Sequence, residues 1–399
     1  MERSTLITLL LTIFIALLGI GVIIPVMPVL AESLGAGGVA LGMIIAAFSI
    51  VRGLAQPVVG NLSDILGRKW FMVAGLFIYG LVGLLIPHAT SVNDLIIIRG
   101  FQGLGSAMIV PIALAYVSIL APAGQEGRYM GYLNIAMFCG IGCGPVFGGL
   151  FMDTLGLASA FYAMAILSFA AFVLVVFNMP AYLPRKGVEA AGLLPSLVRM
   201  ARRRRTVGIL LARYATMIVM VPTMAFLPLL MMQWESHVTG TQVGLVIAAR
   251  TLVNAVLQVP FGKLVDTCNK ITLLVIGTLC MGVSLAFVPH GSSVIEMIIL
   301  YAILGIGEAL IWPVLGAYAS EEGRTHFGHG TMMGVYSLAM SGGVFTGAML
   351  AGYSTDNMGM SWAYYLTALA VCLITIFAAY MIFLGEQADK AGNVQSDRR

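Results

Sequence analysis

The chain has 399 residues, 60% of them hydrophobic and only 10% charged, with a formal net charge of +4 at pH 7 and a mean hydropathy of +0.98. No soluble core needs that much apolar surface, so soluble enzymes and nucleic-acid-binding domains are excluded at the outset. A bilayer does need it: each crossing helix takes roughly 20 apolar residues, because a residue rises ~1.5 Å and the hydrocarbon core is ~30 Å thick.

Uncharged runs between polar punctuation predict twelve helices, at 5–30, 40–62, 70–87, 94–119, 128–151, 158–178, 208–233, 241–262, 271–289, 294–319, 329–352 and 361–384. The first is too long for a secretory signal, whose apolar stretch is about 7 to 15 residues. It ends in Pro25-Val-Met-Pro28 and holds no acid before Glu32. Arg52 lies near the middle of helix 2, which runs into Gly60-Asn-Leu-Ser-Asp64-Ile-Leu-Gly67-Arg68-Lys69. Here Gly60 lets helix backbones approach and Gly67 permits a tight reversal. An acid such as Asp64 does little for orientation and wants a partner at a helix end.

Helix 4 opens with Arg99-Gly-Phe-Gln102-Gly103-Leu-Gly105 and continues to Met108, and helix 5 contains Gly140-Ile-Gly-Cys-Gly144-Pro145-Val-Phe-Gly148-Gly149. Glycines spaced by four make a smooth groove for a neighbouring helix, and Pro145 removes a backbone hydrogen bond and can bend its own. The connection 179–206 divides the chain into halves 1–178 and 207–385, and it carries Arg199-Met-Ala-Arg-Arg-Arg-Arg205. That run reads as an orientation signal lying against anionic lipid. Helix 7 brings Met217 and Met220, helix 8 brings Arg250 and leads to Asp266, helix 10 brings Glu308 and Trp312, and helix 11 brings Tyr336 and Met340. The segment 386–399 is polar and is expected to be a disordered tail.

A shift of 202 residues lays helix 4 on helix 10, with Gly103, Gly105, Ala107, Pro111 and Tyr116 on Gly305, Gly307, Ala309, Pro313 and Tyr318. The same shift puts Asp64 on Asp266, and a shift of 203 puts Gly140, Gly144, Gly149 and Asp153 on Gly343, Gly347, Gly352 and Asp356. Two six-helix halves in the same orientation are therefore predicted, an all-α membrane fold with a central site between them. Arg52, Arg99 and Arg250 fall within spans, and the other Lys and Arg are assigned to cytoplasmic segments. Both termini are thereby placed in the cytoplasm.

Charges inside a bilayer cost at least ~2.5 kcal/mol each on insertion scales, so those retained there call for a use. Glu308 is the only carboxylate near the centre of a span, about fourteen residues and ~21 Å along helix 10 by helical rise. Two uses fit: a carboxyl that takes up and releases a coupling proton, or a static pair with Arg250. Arg52 and Arg250 can attract an anionic group on a substrate or bind backbone carbonyls. Met108, Met217, Met220, Trp312, Tyr336 and Met340 are candidates for a cavity accepting varied apolar shapes, since methionine is flexible and polarizable.

The loop after helix 2 resembles the signature loop of the major facilitator superfamily, and the Arg99 segment resembles the helix 4 motif of proton-coupled members. The glycine and proline pattern of helix 5 resembles the antiporter motif of drug and proton exchangers. The resemblance implies the major facilitator fold of twelve helices in two pseudo-symmetric halves, with a central cavity between helices 1, 4, 7 and 10. It assigns Gly60, Asp64, Gly67, Arg68 and Asp266 to a gating network, Gly140, Gly144, Pro145, Gly148 and Gly149 to an antiporter hinge, and a proton-linked role to Arg99; Glu308 as proton carrier rests on its depth alone, since many members carry an acid in helix 1 and this chain does not. The second copy of the loop is degenerate, with Asn269 where the motif has glycine.

The expected function is proton-coupled efflux of amphipathic small molecules from a bacterial-type inner membrane by a monomer, its partners being substrate, protons and lipids. Transport of a specific metabolite, organic anion or lipid, by antiport or uniport, stays open. A transport-dead sensor would usually lose motif residues or gain a regulatory domain, and neither sign is present. The chain has no phosphate-binding loop and no metal-like cysteine spacing, so neither nucleotide, metal nor other cofactor is expected.

Overall fold

The computed structural model describes residues 2–120, 126–180, 193–234, 238–327 and 329–396, and every regular element among them is helical. Among the described residues twelve helices are long and apolar enough to cross a membrane: spans 1 to 6 are Thr5–Ser33, Gly38–Gly60, Arg68–His88, Val92–Leu114, Tyr132–Leu155 and Leu157–Asn178. Spans 7 to 12 are Arg204–Met232, Gly240–Gln258, Lys270–His290, Val294–Phe327, Met332–Met358 and Met360–Asp389. Their ends define two faces. One carries Arg68, Lys69, Arg203 and Lys270, and is called the basic face below; the other carries Glu32, Asp94, Asp153, Glu296 and Asp356, with no Lys or Arg among the described residues.

Three spans expected as single helices are broken. Span 1 is Glu2–Val22 followed by Val26–Ser33, and span 4 is Val92–Ala107 followed by Val110–Leu120. Span 7 is Arg204–Ile218, then a π-turn Pro222–Phe226, then Leu227–Met232. Each break sits beside a proline, Pro25, Pro111 or Pro222, which lacks an N–H and presses on the carbonyl four residues earlier. Pro313, the repeat partner of Pro111, stays inside the continuous helix Val294–Glu322. Proline permits the break without enforcing it.

Packing follows the repeat. Gly103 has no room for a Cβ against the backbone of Phe48, and 202 residues later Gly305 is equally tight against Arg250. Gly67 turns the chain between spans 2 and 3 at φ +97°, as its place in the loop predicted. Asn269, its degenerate partner, instead caps span 9 by accepting from the N–H groups of Ile271 and Thr272. Gly60 departs from expectation: among the described residues no neighbouring atom lies within 4 Å of where its Cβ would be, so it mediates no close backbone approach to them in this arrangement. The side chains of Asp64 and Asp266 lie outside the described residues, and Arg68 stands half-buried at the start of span 3.

The arginine run expected to lie on lipid is partly turned inward. Arg203 Nε pairs with Glu322 at 3.0 Å and its Nη2 with Asp389 at 2.6 Å. Arg205 pairs with Glu321 at 2.8 Å and Glu322 at 3.3 Å, and Thr206 donates to the fully buried Glu322 at 2.7 Å. Their common partners on spans 10 and 12 explain a second departure. The last helix runs from Met360 to Ser396, because Tyr318 donates to Glu386 at 2.9 Å and Arg203 holds Asp389. The segment 386–396 is therefore helical where a disordered tail was expected.

Candidate functional site

Breaking span 7 at Pro222 frees backbone carbonyls in an apolar interior, where each needs a donor. Tyr364 donates to the Pro222 carbonyl and Tyr301 to that of Thr223, both at 3.0 Å. The turn thereby presents the Thr223 hydroxyl to Arg250 of span 8, whose Nη1 donates to it. Arg250 also donates from Nε to Glu308 Oε2 at 2.9 Å and from Nη2 to Glu308 Oε1. Asn254, one turn beyond Arg250 on the same helix face, donates to Glu308 Oε2 at 3.3 Å, and Gln258 donates to Asn254 at 3.0 Å. Gly305 makes this reach feasible by letting spans 8 and 10 touch one turn before Glu308. Arg250 and Glu308 are each only 2% exposed.

Arg250 is thus committed to Glu308 and is not free for a substrate anion, which corrects its assignment to the binding cavity. Arg99 stands apart from this pair. It lies in the other half, with its guanidinium 4.5 Å from the Phe48 ring and Nη1 donating to Gln102. Phe48 is the repeat partner of Arg250, so one half holds a ring where the other holds a cation. Arg52 is half-buried, and the Nε atoms of Arg52 and Arg99 are buried without hydrogen-bond partners.

The methionines separate. Met108, at the break in span 4, packs against Gly75, and Met217 packs against Gly343; both serve helix packing. Met220 is half-buried beside the π-turn, its carbonyl accepting from Thr223 at 3.3 Å. Trp312, Tyr336 and Met340 come together around Arg213, a residue the sequence reading grouped with the cytoplasmic bases because it stands only five residues inside the predicted start of helix 7. Its 6% exposure shows that it belongs to the interior.

The helix 5 motif also divides. Gly140, Gly144 and Gly148 face span 1 of their own half, against Phe14, Leu18, Gly21 and Val22, whereas Gly149 abuts Gly240 and Pro145 abuts Gly244 on span 8 of the other half. The four-residue glycine row is therefore not the surface that meets the other half; Pro145 and Gly149 are.

That contact ends in a pair of carboxylates, Asp153 and its repeat partner Asp356, to which the sequence alone assigned no role. Asp153 accepts from the N–H groups of Gly240 and Thr241, both at 2.8 Å, and from the Thr241 hydroxyl at 2.6 Å. Asp356 accepts from the N–H groups of Gly38 at 2.5 Å and Val39 at 2.8 Å. Each carboxylate sits on unpaired N–H groups at the positive end of a helix across the boundary between halves. Backbone contact continues inward through Gly38 with Gly352 and Gly42 with Ala348, and Gly53 meets the Ser341 side chain; among the described residues nothing lies within 4 Å of a Cβ placed on Gly60, Gly262 or Gly334, toward the basic face. Among the described residues the halves are joined at the acidic face, and these three glycines toward the basic face make no such contact.

Asp153→Asn keeps the shape and removes the charge from one clasp. It is expected to shift the population about tenfold toward an arrangement open at the acidic face, since a hydrogen bond to a charged group contributes roughly 1.5–3 kcal/mol. Spin-label distances between the acidic ends of spans 5 and 8 read this shift. An unchanged distance distribution would remove Asp153 from the clasp.

A sequence profile of the Major Facilitator Superfamily matches residues 9–236 and again 208–398. An uncharacterized MFS-type transporter of Methanocaldococcus jannaschii is 28% identical over 371 residues, covering 92% of this chain and 95% of its own. Multidrug resistance protein 2 of Bacillus subtilis is 27% identical over 367 residues, covering 89% and 90%. In fold, the chain is similar to a bacterial homologue of the human lysosomal transporter Spinster, solved inward-facing and unoccupied, with a TM-score of 0.78 at 14% identity and 97% coverage of each chain.

Proposed function

Since this chain belongs to the major facilitator superfamily and is a secondary transporter of that fold, we propose that it exports amphipathic small molecules in exchange for protons, with Glu308 as the proton carrier. The observation that carries this reading is the placement of Glu308. Among the described residues it is the one carboxylate buried midway along a span, it is held by Arg250 and Asn254 of span 8, and through Arg250 it is linked to Thr223 of the broken span 7. A proton and a guanidinium are alternative partners for one buried carboxylate, since either can balance its charge. When the halves rock, the π-turn at Pro222 shifts Thr223 and Arg250 relative to span 10, and Glu308 takes up or releases its proton at that step.

Efflux as the direction is supported by the near full-length match to a multidrug resistance protein. The basic face lies in the cytoplasm of a bacterial-type inner membrane under this reading, with both termini there, as the distribution of Lys and Arg favours. One chain suffices as the working unit, because both halves of the central site come from it.

The test is reconstitution of the full chain in vesicles with an imposed pH gradient, screening dyes, antibiotics, lipids and organic anions. Substrate is expected to accumulate only while the gradient stands and to move protons in the opposite direction. Movement indifferent to the gradient would eliminate antiport and leave facilitated diffusion.

A further inference from the structure

Four guanidinium groups lie deep inside the spans, away from the basic ends, at Arg52, Arg99, Arg213 and Arg250, and among the described residues only Arg250 of these four is paired with a carboxylate. A cation held in a membrane interior without a counter-charge is costly, so the arrangement asks what anion it meets. Arg213 gives the sharpest answer. It lies nine residues inside span 7 and is 6% exposed. Its guanidinium carbon is 4.9 Å from the Trp312 ring centroid and 5.0 Å from that of Tyr336. Nη2 donates to Met340 Sδ at 3.2 Å, and sulfur is a weak acceptor.

Two donors in this box are buried with no acceptor: Nε of Arg213 and the indole Nε1 of Trp312. The box is closed from the opposite half by Phe138 on span 5, whose ring stands 5.9 Å from Trp312. Repeat symmetry does not require the cation. Gly140 packs on the carbonyl of Phe14 and Gly343 on that of Tyr214, which lays Arg213 on the buried Ile13 of the first half. A positive charge, two unfilled N–H donors and three rings therefore converge where the two halves meet.

We infer that Arg213 and Trp312 form an anion subsite, and that the transported molecule carries an acid group on an apolar body. The inference rests on the central site being the transport site, as proposed above. The acid group accepts from Arg213 Nε and Trp312 Nε1, satisfying both donors at once, while the rings of Tyr336 and Phe138 and the Met340 thioether cover the apolar body. A cationic body gains nothing here, since it meets a guanidinium with no carboxylate beside it.

The test compares two fluorescent probes with one body, dansylglycine and its neutral amide, on the purified full chain in a neutral maltoside detergent. Wild type is expected to bind the acid at least tenfold more tightly than the amide. Arg213→Gln brings the two within about twofold by weakening the acid far more than the amide, Arg213→Lys keeps part of the preference, and Trp312→Phe lowers it about threefold. Equal binding of acid and amide by wild type, or an undiminished preference in Arg213→Gln, overturns the subsite and leaves Arg213 as a clamp between spans 7, 10 and 11. Should Arg213→Gln lose amide binding as well, its fold is in question, and Trp312→Phe with the wild-type probe pair decides.

Competition identifies the source of the anion. Displacement of dansylglycine by octanoate points to free amphipathic acids, displacement by a lysophosphatidate to lipid headgroups, and displacement by neither overturns the proposal. Vesicle transport separates this inference from the reading beneath it. An Arg213-dependent acid preference without gradient-driven transport sinks only the exporter; gradient-driven transport with no acid preference sinks only the subsite.

Discussion

Glu308→Gln is expected to abolish transport driven by a pH gradient and to destabilise the protein more than Arg250→Gln does. The asymmetry follows from what each change leaves behind. Glutamine in place of Glu308 keeps the side-chain length but leaves the Arg250 guanidinium without its counter-charge; that group is 2% exposed and, among the described residues, is hydrogen-bonded otherwise only to Thr223. Removing one partner of a buried pair costs ~3–5 kcal/mol. In Arg250→Gln the stranded group is a carboxyl, which can take a proton and remain neutral, so the penalty is smaller. The double variant Glu308→Gln with Arg250→Gln is therefore expected to recover most of the thermal stability in detergent. It should not recover gradient-driven accumulation in vesicles, because no titratable group remains at that depth of span 10. Stability restored and transport still absent is the signature of a proton carrier. Accumulation that persists in Glu308→Gln would make the pair a purely structural rivet.

Much of this arrangement was legible in the sequence, and what escaped did so for physical reasons. Spans and repeat could be read because a bilayer imposes length and apolarity on every crossing, and shifts of 202 and 203 residues preserved the glycines at helix contacts. The pairing of Glu308 with Arg250 was legible as one of two alternatives, since few charges lie so deep. Arg213 was not, because an arginine five residues inside a predicted boundary looks like the last base of a cytoplasmic run; only burial separates the two. The clasp carboxylates were missed because each acts on a helix start far along the chain, 87 residues for Asp153 and 318 for Asp356. A signal was nonetheless present: both follow a motif glycine by four residues, Gly149 and Gly352, at the repeat shift. The breaks at Pro25, Pro111 and Pro222 could not be told from the unbroken helix around Pro313, because the outcome depends on donors from other spans, as Tyr301 and Tyr364 show at the π-turn.

Neighbouring glycines of one motif should respond in opposite ways to the same substitution. Gly148 lies against the carbonyl of Val22 on span 1, within its own half, and Gly149 lies against the carbonyl of Gly240 on span 8, across the boundary. A leucine at 148 must push apart two helices that pack together inside the half, and overpacking of that kind costs about 1–3 kcal/mol or more in an interior. Gly148→Leu is expected to lower the melting temperature and the yield of folded protein. Gly144→Leu should do likewise, since its Cβ would come to 2.5 Å from Gly21 Cα, also on span 1. A leucine at 149 meets its obstacle only while the acidic face is closed. Opening that face removes the clash at the expense of the Asp153 and Asp356 clasps, so the half itself is not strained. Gly149→Leu is expected to fold with wild-type stability within ~1 kcal/mol, to hold the acidic ends of spans 5 and 8 apart, and to reduce transport by at least 100-fold, because a carrier that cannot close one face cannot alternate. Spin-label distances across the acidic face, melting curves and vesicle transport on the three variants together decide the matter. Transport retained by Gly149→Leu, or a loss of folding equal to that of Gly148→Leu, would mean that the contact at Gly149 is ordinary packing and not a surface that opens.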